Sequence, residues 1–195
     1  MQIDNSRRSS QMEVTFLKNE LNKLRNENEI LKQKLSQVKL ILKNVFLELN
    51  KRIKFKLRVI GNFDYTLPGI DLEVINWTKA NEIQDLQGID IGIYPLTQDE
   101  WVLGKSGLKA LQYMALGLPT IATDVGTNPR IISHMKNGWL VKTDDEWVEA
   151  LETLIINPDL RAKIGSQARN KIVKDYSIEV TKDKYLSILN KLVSN

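Results

Sequence analysis

The chain has 195 residues, of which 42% are apolar, 27% charged and 7% aromatic. That balance suits one folded domain with an appendage and excludes disorder throughout. Its formal net charge of +4 is unevenly placed, because residues 1–56 hold 13 Lys/Arg against 6 Asp/Glu while the remainder is net acidic.

Residues 1–10 (MQIDNSRRSS) read as a flexible N-terminus that leads into no apolar signal segment. The first glycine is Gly61 and the first proline Pro68, so sixty residues pass without a helix breaker. Within them the apolar residues keep a heptad. Val14, Leu21, Asn28, Leu35, Leu42 and Leu49 occupy one seam position, and Leu17, Leu24, Leu31, Val38 and Val45 the other. Such spacing predicts a coiled coil over 11–38, with Leu17, Leu21, Leu24, Leu31 and Leu35 joining two chains. Asn28 is the polar seam residue that fixes a parallel two-stranded register. The alternative is one long helix packed on the rest of the protein. The segment resembles a leucine zipper, but Arg7 and Arg8 are too few to neutralise phosphates and reach base edges, so no DNA partner is expected. The basic surplus also suits peripheral contact with an anionic inner-membrane face; a solvated helix face is the plainer reading.

From Val38 the apolar pattern broadens, and 39–53 reads as a helix packed on a second domain, 39–195. FKLRVIG (55–61) and DLEVIN (71–76) read as strands, ANEIQDLQ (80–87) as a helix, and IDIGIYP (89–95) as a buried strand stopped by Pro95. SGLKALQYMALG (106–117) reads as a helix with Ser106 as N-cap and Gly117 just past its end. LPTIAT (118–123) is a strand, TNPRIISH (127–134) a short helix, and GWLV (138–141) the last strand. Helices follow at 144–156, 158–174 and 177–193. Short strands alternating with helices predict an α/β fold, a Rossmann-like, doubly wound parallel sheet.

Ligands of such sheets bind where strands end and helices begin. Two glycine-marked turns qualify: Gly104-Lys105-Ser106-Gly107, and Asp124-Val125-Gly126-Thr127. Helix N-terminal amides with Lys105 suit a phosphate or diphosphate, and Gly126 lets backbone approach a ligand. An ordinary capped turn is the alternative at each. Neither G-x-G-x-x-G nor a Walker-type lysine motif is present, which argues against a dinucleotide site and nucleotide hydrolysis. Cysteine is absent and His134 is the one histidine, so neither a thiolate nor a His-rich metal site is expected, and no cofactor.

The run GLKALQYMALGLPTIATDVGTNPRIISHMKNGWLV resembles the C-terminal, donor-binding half of family-4-type retaining glycosyltransferases of the GT-B architecture. The matching parts are Gly107, Ala115-Leu116-Gly117-Leu118-Pro119, Gly126 and Asn137-Gly138-Trp139-Leu140-Val141, then Asn157-Pro158, Gly165-x-x-Ala168-Arg169 and Tyr176-Ser177. The resemblance implies hexosyl transfer from a nucleotide-sugar, a UDP- or GDP-sugar, with retention. It places Lys105, Ser106 and Gly107 at the diphosphate, Gly126 and Thr127 along the donor cleft, and Asn76-Trp77 near the nucleobase. Many relatives carry two glutamates where this chain has Gly104 and Gln112; Gln112 can still meet a ribose hydroxyl, and Asp99 and Glu100 do not fit that register. No catalytic residue is identified. The resemblance also implies an acceptor domain, and a first strand with its glycine-rich loop, that this sequence does not show. The expectation is a cytoplasmic, truncated donor-binding domain on a homodimeric coil. The alternatives are a coiled-coil scaffold or fusion carrying an inactive domain, and a split enzyme whose acceptor domain is another chain.

Overall fold

The computed structural model describes residues 42–193, together with Lys18, Asn22 and Lys23, which are helical. The chain divides into two compact units, 1–40 and 41–195. The proposed seam residues Leu17, Leu21, Leu24, Asn28, Leu31 and Leu35 lie outside the described residues, as does the flexible segment 1–10.

In the second unit, helix α1 (Lys43–Arg52) buries Val45, Phe46 and Leu49, the i, i+1, i+4 stripe of an amphipathic helix, and leaves its basic last turn in solvent. Strands β1 (Lys56–Ile60) and β2 (Asp71–Ile75) come next and pair in parallel, Lys56 opposite Asp71 through Ile60 opposite Ile75. Helix α2 (Glu82–Gln87) crosses to β3 (Gly92–Tyr94). A short helix, α3 (Glu100–Leu103), precedes α4 (Leu108–Ala115), β4 (Thr120–Thr123), α5 (Asn128–Ile131) and β5 (Trp139–Val141). Three long helices close the unit: α6 (Asp144–Ile156), α7 (Pro158–Asp175) and α8 (Ile178–Val193).

The three strands β3, β4 and β5 form a second parallel ladder, with β4 in the middle. All four residues of β4 are buried, as a strand covered on both faces requires. Its alternation divides the core. Ile121 joins Phe46, Leu49, Trp139, Trp147 and Leu151 on the α1/α6 face, while Ala122 joins Ala110, Met114, Ile131 and Ala168 on the α4/α7 face. Helices on both faces of parallel strands make the expected Rossmann-like α/β layering. Among the described residues no helix is long and apolar enough to cross a membrane.

The termini of these elements obey local chemistry. Thr143 and Glu146 form a reciprocal capping box at the start of α6, and Asn157 caps α7 ahead of Pro158. Gly117 takes φ +75° just past α4, where Leu118 N donates to Tyr113 O. Four expectations need correction. The strands form two separate ladders instead of one sheet. The helix expected over 106–117 starts at Leu108, with Gly107 at φ +73° in the cap position, so Ser106 is not its N-cap. The helix expected over 127–134 is a single turn, because Ile132 is already extended. Helix α3 went unforeseen; Asp99 caps it by accepting from Val102 N at 3.1 Å, and it shortens the loop that carries Lys105.

Candidate functional site

The two glycine-marked turns, twenty residues apart in sequence, meet in space. The Thr127 hydroxyl donates to the Lys105 carbonyl at 2.5 Å. A Cβ added at Gly126 (φ +59°) would stand 3.1 Å from Val102 O, so glycine there lets the second turn lie against the end of α3. A Cβ at Gly107 would meet Ile131 Cδ1 at 2.4 Å. Lys105 is half-buried, Ser106 exposed and Gly107 buried. Beneath them Asn128, 1% exposed, donates through Nδ2 to Thr123 O at 2.8 Å. Its Oδ1, close to Gly107, has no partner. Asp124 pairs with Lys142 at 3.2 Å beside the second turn. The structure therefore brings Lys105, Gly107, Gly126 and Thr127 together at the start of α4, an eight-residue helix whose first amides face the turn.

The remaining expected site residues fall elsewhere. Gln112 lies one turn into α4, where Nε2 donates to Glu82 Oε1 at 3.3 Å and Oε1 is buried without a partner. Glu82 also pairs with Lys109 at 3.5 Å, so one carboxylate on α2 holds two α4 side chains. Asn76 and Trp77 come after β2 and are exposed. Trp77 lines a cavity of about 440 Å³ with Glu82, Lys109 and Tyr113, whose lining includes none of the residues of either glycine turn. The Tyr113 phenol is pushed above its ordinary value by burial, with the nearby Tyr94 phenol, itself raised by burial, adding to the effect. Its ring lies on Gly92, where an added Cβ would meet it at 2.5 Å.

Arg58, on β1, joins three elements. Nε donates to Glu73 Oε2 at 2.8 Å, and Nη1 to Gly88 O at 3.0 Å, which ties β1 to β2 and to the C-terminal end of α2. Sequence reasoning missed this bridge and the Glu82 clamp. The i, i+3 spacing of Lys109 and Gln112 on α4 hinted that they share a face, but nothing local named Glu82, thirty residues away, as their partner.

Comparison with known proteins fits this arrangement. The family described as "Glycosyl transferases group 1" matches residues 33–171. The "Glycosyltransferase 1 domain-containing protein 1" of Xenopus tropicalis is 30% identical over 111 residues, covering 57% of this chain and 32% of that protein. Among solved structures, sucrose-phosphate synthase from Thermosynechococcus elongatus aligns with a TM-score of 0.67 at 16% identity, over 81% of this chain and 43% of that one. Staphylococcus aureus TarM, solved with Fondaparinux, alpha-GlcNAc-glycerol and UDP, aligns at 0.59 and 20% identity, over 77% of this chain and 32% of that one. The matched region thus spans under half the length of each relative. With the family match across most of the chain and the parallel α/β layering of the GT-B fold, this chain belongs to the glycosyl transferases group 1.

Proposed function

We propose that the α/β unit binds the nucleotide-sugar donor of a retaining hexosyl transfer, a UDP- or GDP-sugar, at the paired glycine turns. The carrying observation is the junction itself: the Thr127 hydroxyl on the Lys105 carbonyl, with Gly107 and Gly126 both in the left-handed region. That pairing sets glycine backbone and the half-buried Lys105 at the N-terminal end of α4, where a diphosphate gains from the helix dipole and from charge-assisted hydrogen bonds. Lys105, Ser106 and Gly107 would hold the diphosphate, Gly126 and Thr127 would line the sugar's cleft, and Asn76-Trp77 would face the base. Gln112, engaged by Glu82, would reach a ribose hydroxyl only after exchanging that partner. The fold likeness to TarM, solved with UDP, supports this reading. Positioning a donor against an acceptor needs a second wall, so transfer would require an acceptor-binding domain outside residues 42–193. The heptads over 11–38 would pair two chains through Leu17, Leu21, Leu24, Leu31 and Leu35, with Asn28 setting the register.

Calorimetry with UDP and GDP, on wild type and Lys105→Ala, tests the site. Losing a charge-assisted contact worth roughly 1.5–3 kcal/mol weakens binding about tenfold or more. Failure of both nucleotides to bind wild type at millimolar concentration would overturn the proposal.

A further inference from the structure

Helix α4 turns two donors toward one carboxylate oxygen of α2, and neither contact is tight. Gln112 Nε2 donates to Glu82 Oε1 at 3.3 Å, and Lys109 Nζ stands 3.5 Å from the same oxygen. Charge-assisted hydrogen bonds to a carboxylate ordinarily close to about 2.7–2.9 Å, as Arg58 does on Glu73 at 2.8 Å. The Lys109 side chain also keeps 48% of its surface exposed and that of Glu82 24%. Exposed pairs of this kind contribute little to stability. Gln112 meanwhile leaves Oε1 buried without a partner, so Glu82 satisfies this face of α4 only in part. Among the described residues Lys109 enters no other ion pair.

The place of the pair in the fold says which partner could replace Glu82. Lys109 and Gln112 are i and i+3 on α4 and share a face. Lys109 lies in the first turn, about 3 Å of helix rise beyond Gly107 and about 4.5 Å short of Gln112. It lines one cavity with Trp77 and Glu82. A donor whose base meets Trp77 and whose diphosphate meets the start of α4 therefore passes the Glu82–Lys109 pair. The diphosphate bridge of a nucleotide-sugar carries two negative charges, of which Lys105 answers one. Lys109 supplies a second cation in the turn where the helix amides already favour an anion. Glu82 places a negative charge beside the same path, so an anion gains Lys109 only by taking it from Glu82.

We infer that Lys109 is a second binding residue for the donor's diphosphate, and that Glu82 is a positioning residue that holds Lys109 in the free protein and yields it when the diphosphate binds. The inference rests on the proposed donor site and adds to it two residues from outside both glycine turns. It makes Glu82 a brake, a carboxylate that orders Lys109 near the site and lowers its affinity for anions.

Calorimetry on the full chain with UDP and GDP tests it, using wild type, Glu82→Gln, Lys109→Ala and the double variant, with thermal melts to check that each folds. Glutamine keeps an acceptor for Gln112 and Lys109 and removes the charge. For whichever nucleotide binds wild type, Glu82→Gln should tighten binding about threefold, the scale of one exposed ion pair. Lys109→Ala should weaken it about tenfold. In the Lys109→Ala background the Glu82→Gln gain should fall below about twofold, because the cation it releases is gone. A clamp that merely supported the fold would lose affinity as it loosened, so the sign of the Glu82→Gln effect separates the two roles. Three results overturn the inference and leave the donor site standing: Lys109→Ala binding as tightly as wild type, Glu82→Gln binding no more tightly than wild type, or an undiminished Glu82→Gln gain without Lys109. Failure of both nucleotides to bind wild type overturns the donor reading itself, and this inference with it.

Discussion

Replacing Gly165 by alanine sets helix propensity against tertiary packing, and the two predict opposite signs. Gly165 sits in the middle of α7, where glycine costs about 1 kcal/mol relative to alanine, so propensity alone predicts stabilisation by that amount. The structure predicts the reverse. A Cβ at Gly165 would lie 2.0 Å from Gly117 O and 3.1 Å from Gly117 C. The obstacle is backbone, in the turn that closes α4 and enters β4, so it cannot rotate away as a flexible side chain would. Helix α7 must move outward by more than 1 Å, loosening Ala168 and Ile172 from the core and stretching the hydrogen bond from Arg169 to Ala115 O. Overpacking of this kind typically costs about 1–3 kcal/mol, occasionally more, and the loosened contacts add to it. After the propensity gain, and with the loosened contacts added, a net loss of roughly 1–2 kcal/mol remains, a drop in Tm of about 2–4 °C per kcal/mol for a unit of this size. Urea denaturation of wild type, Gly165→Ala and Asn170→Ala reads the sign directly. Asn170 is exposed on the same helix, and its replacement should stabilise by a few tenths of a kcal/mol through propensity alone. Gly165→Ala as stable as wild type, or more so, would refute the backbone contact.

The site and its supports give further expected outcomes. Gly107→Ala places a side chain in a left-handed cap at a cost of about 1–2 kcal/mol and pushes on Ile131. It should therefore lower both Tm and nucleotide affinity, whereas Lys105→Ala acts chiefly on affinity by removing a charge from the site. Asn128→Ala removes the donor to the buried Thr123 carbonyl and should cost roughly 1–3 kcal/mol in urea unfolding. Burial holds the Tyr113 phenol above its ordinary value near 10, so the unfolded chain ionises first. The stability from keeping it neutral is complete below pH 10 and is lost as pH rises through the folded value. Tyr113→Phe should blunt the fall in Tm as pH rises above about 10, Tyr65 and Tyr94 retaining part of it because their shifts have the same sign.

The order of elements was legible in the sequence because it is written in short-range chemistry. Short β-rich runs marked β1, β2 and β4, Gly117 ended α4, and Asn157-Pro158 began α7; each depends on residues within a few positions of one another. The motif from Gly107 to Val141 likewise pointed to the glycosyltransferase family, since its glycines answer to turns that any homologous fold must make. Ends shifted where a neighbour decided them. Ser106 looked like a cap, but the packing of Gly107 against Ile131 sets a left-handed residue there and starts α4 two residues later. What only the tertiary structure decided lies between elements. The meeting of Lys105 with Thr127, the Glu82 clamp on Lys109 and Gln112, the Arg58 bridge and the cavity lined by Trp77 and Tyr113 all join residues far apart in the chain. A parallel sheet is made of such long-range pairings, and hydrophobic period fixes which face a strand buries but not which strand lies beside it.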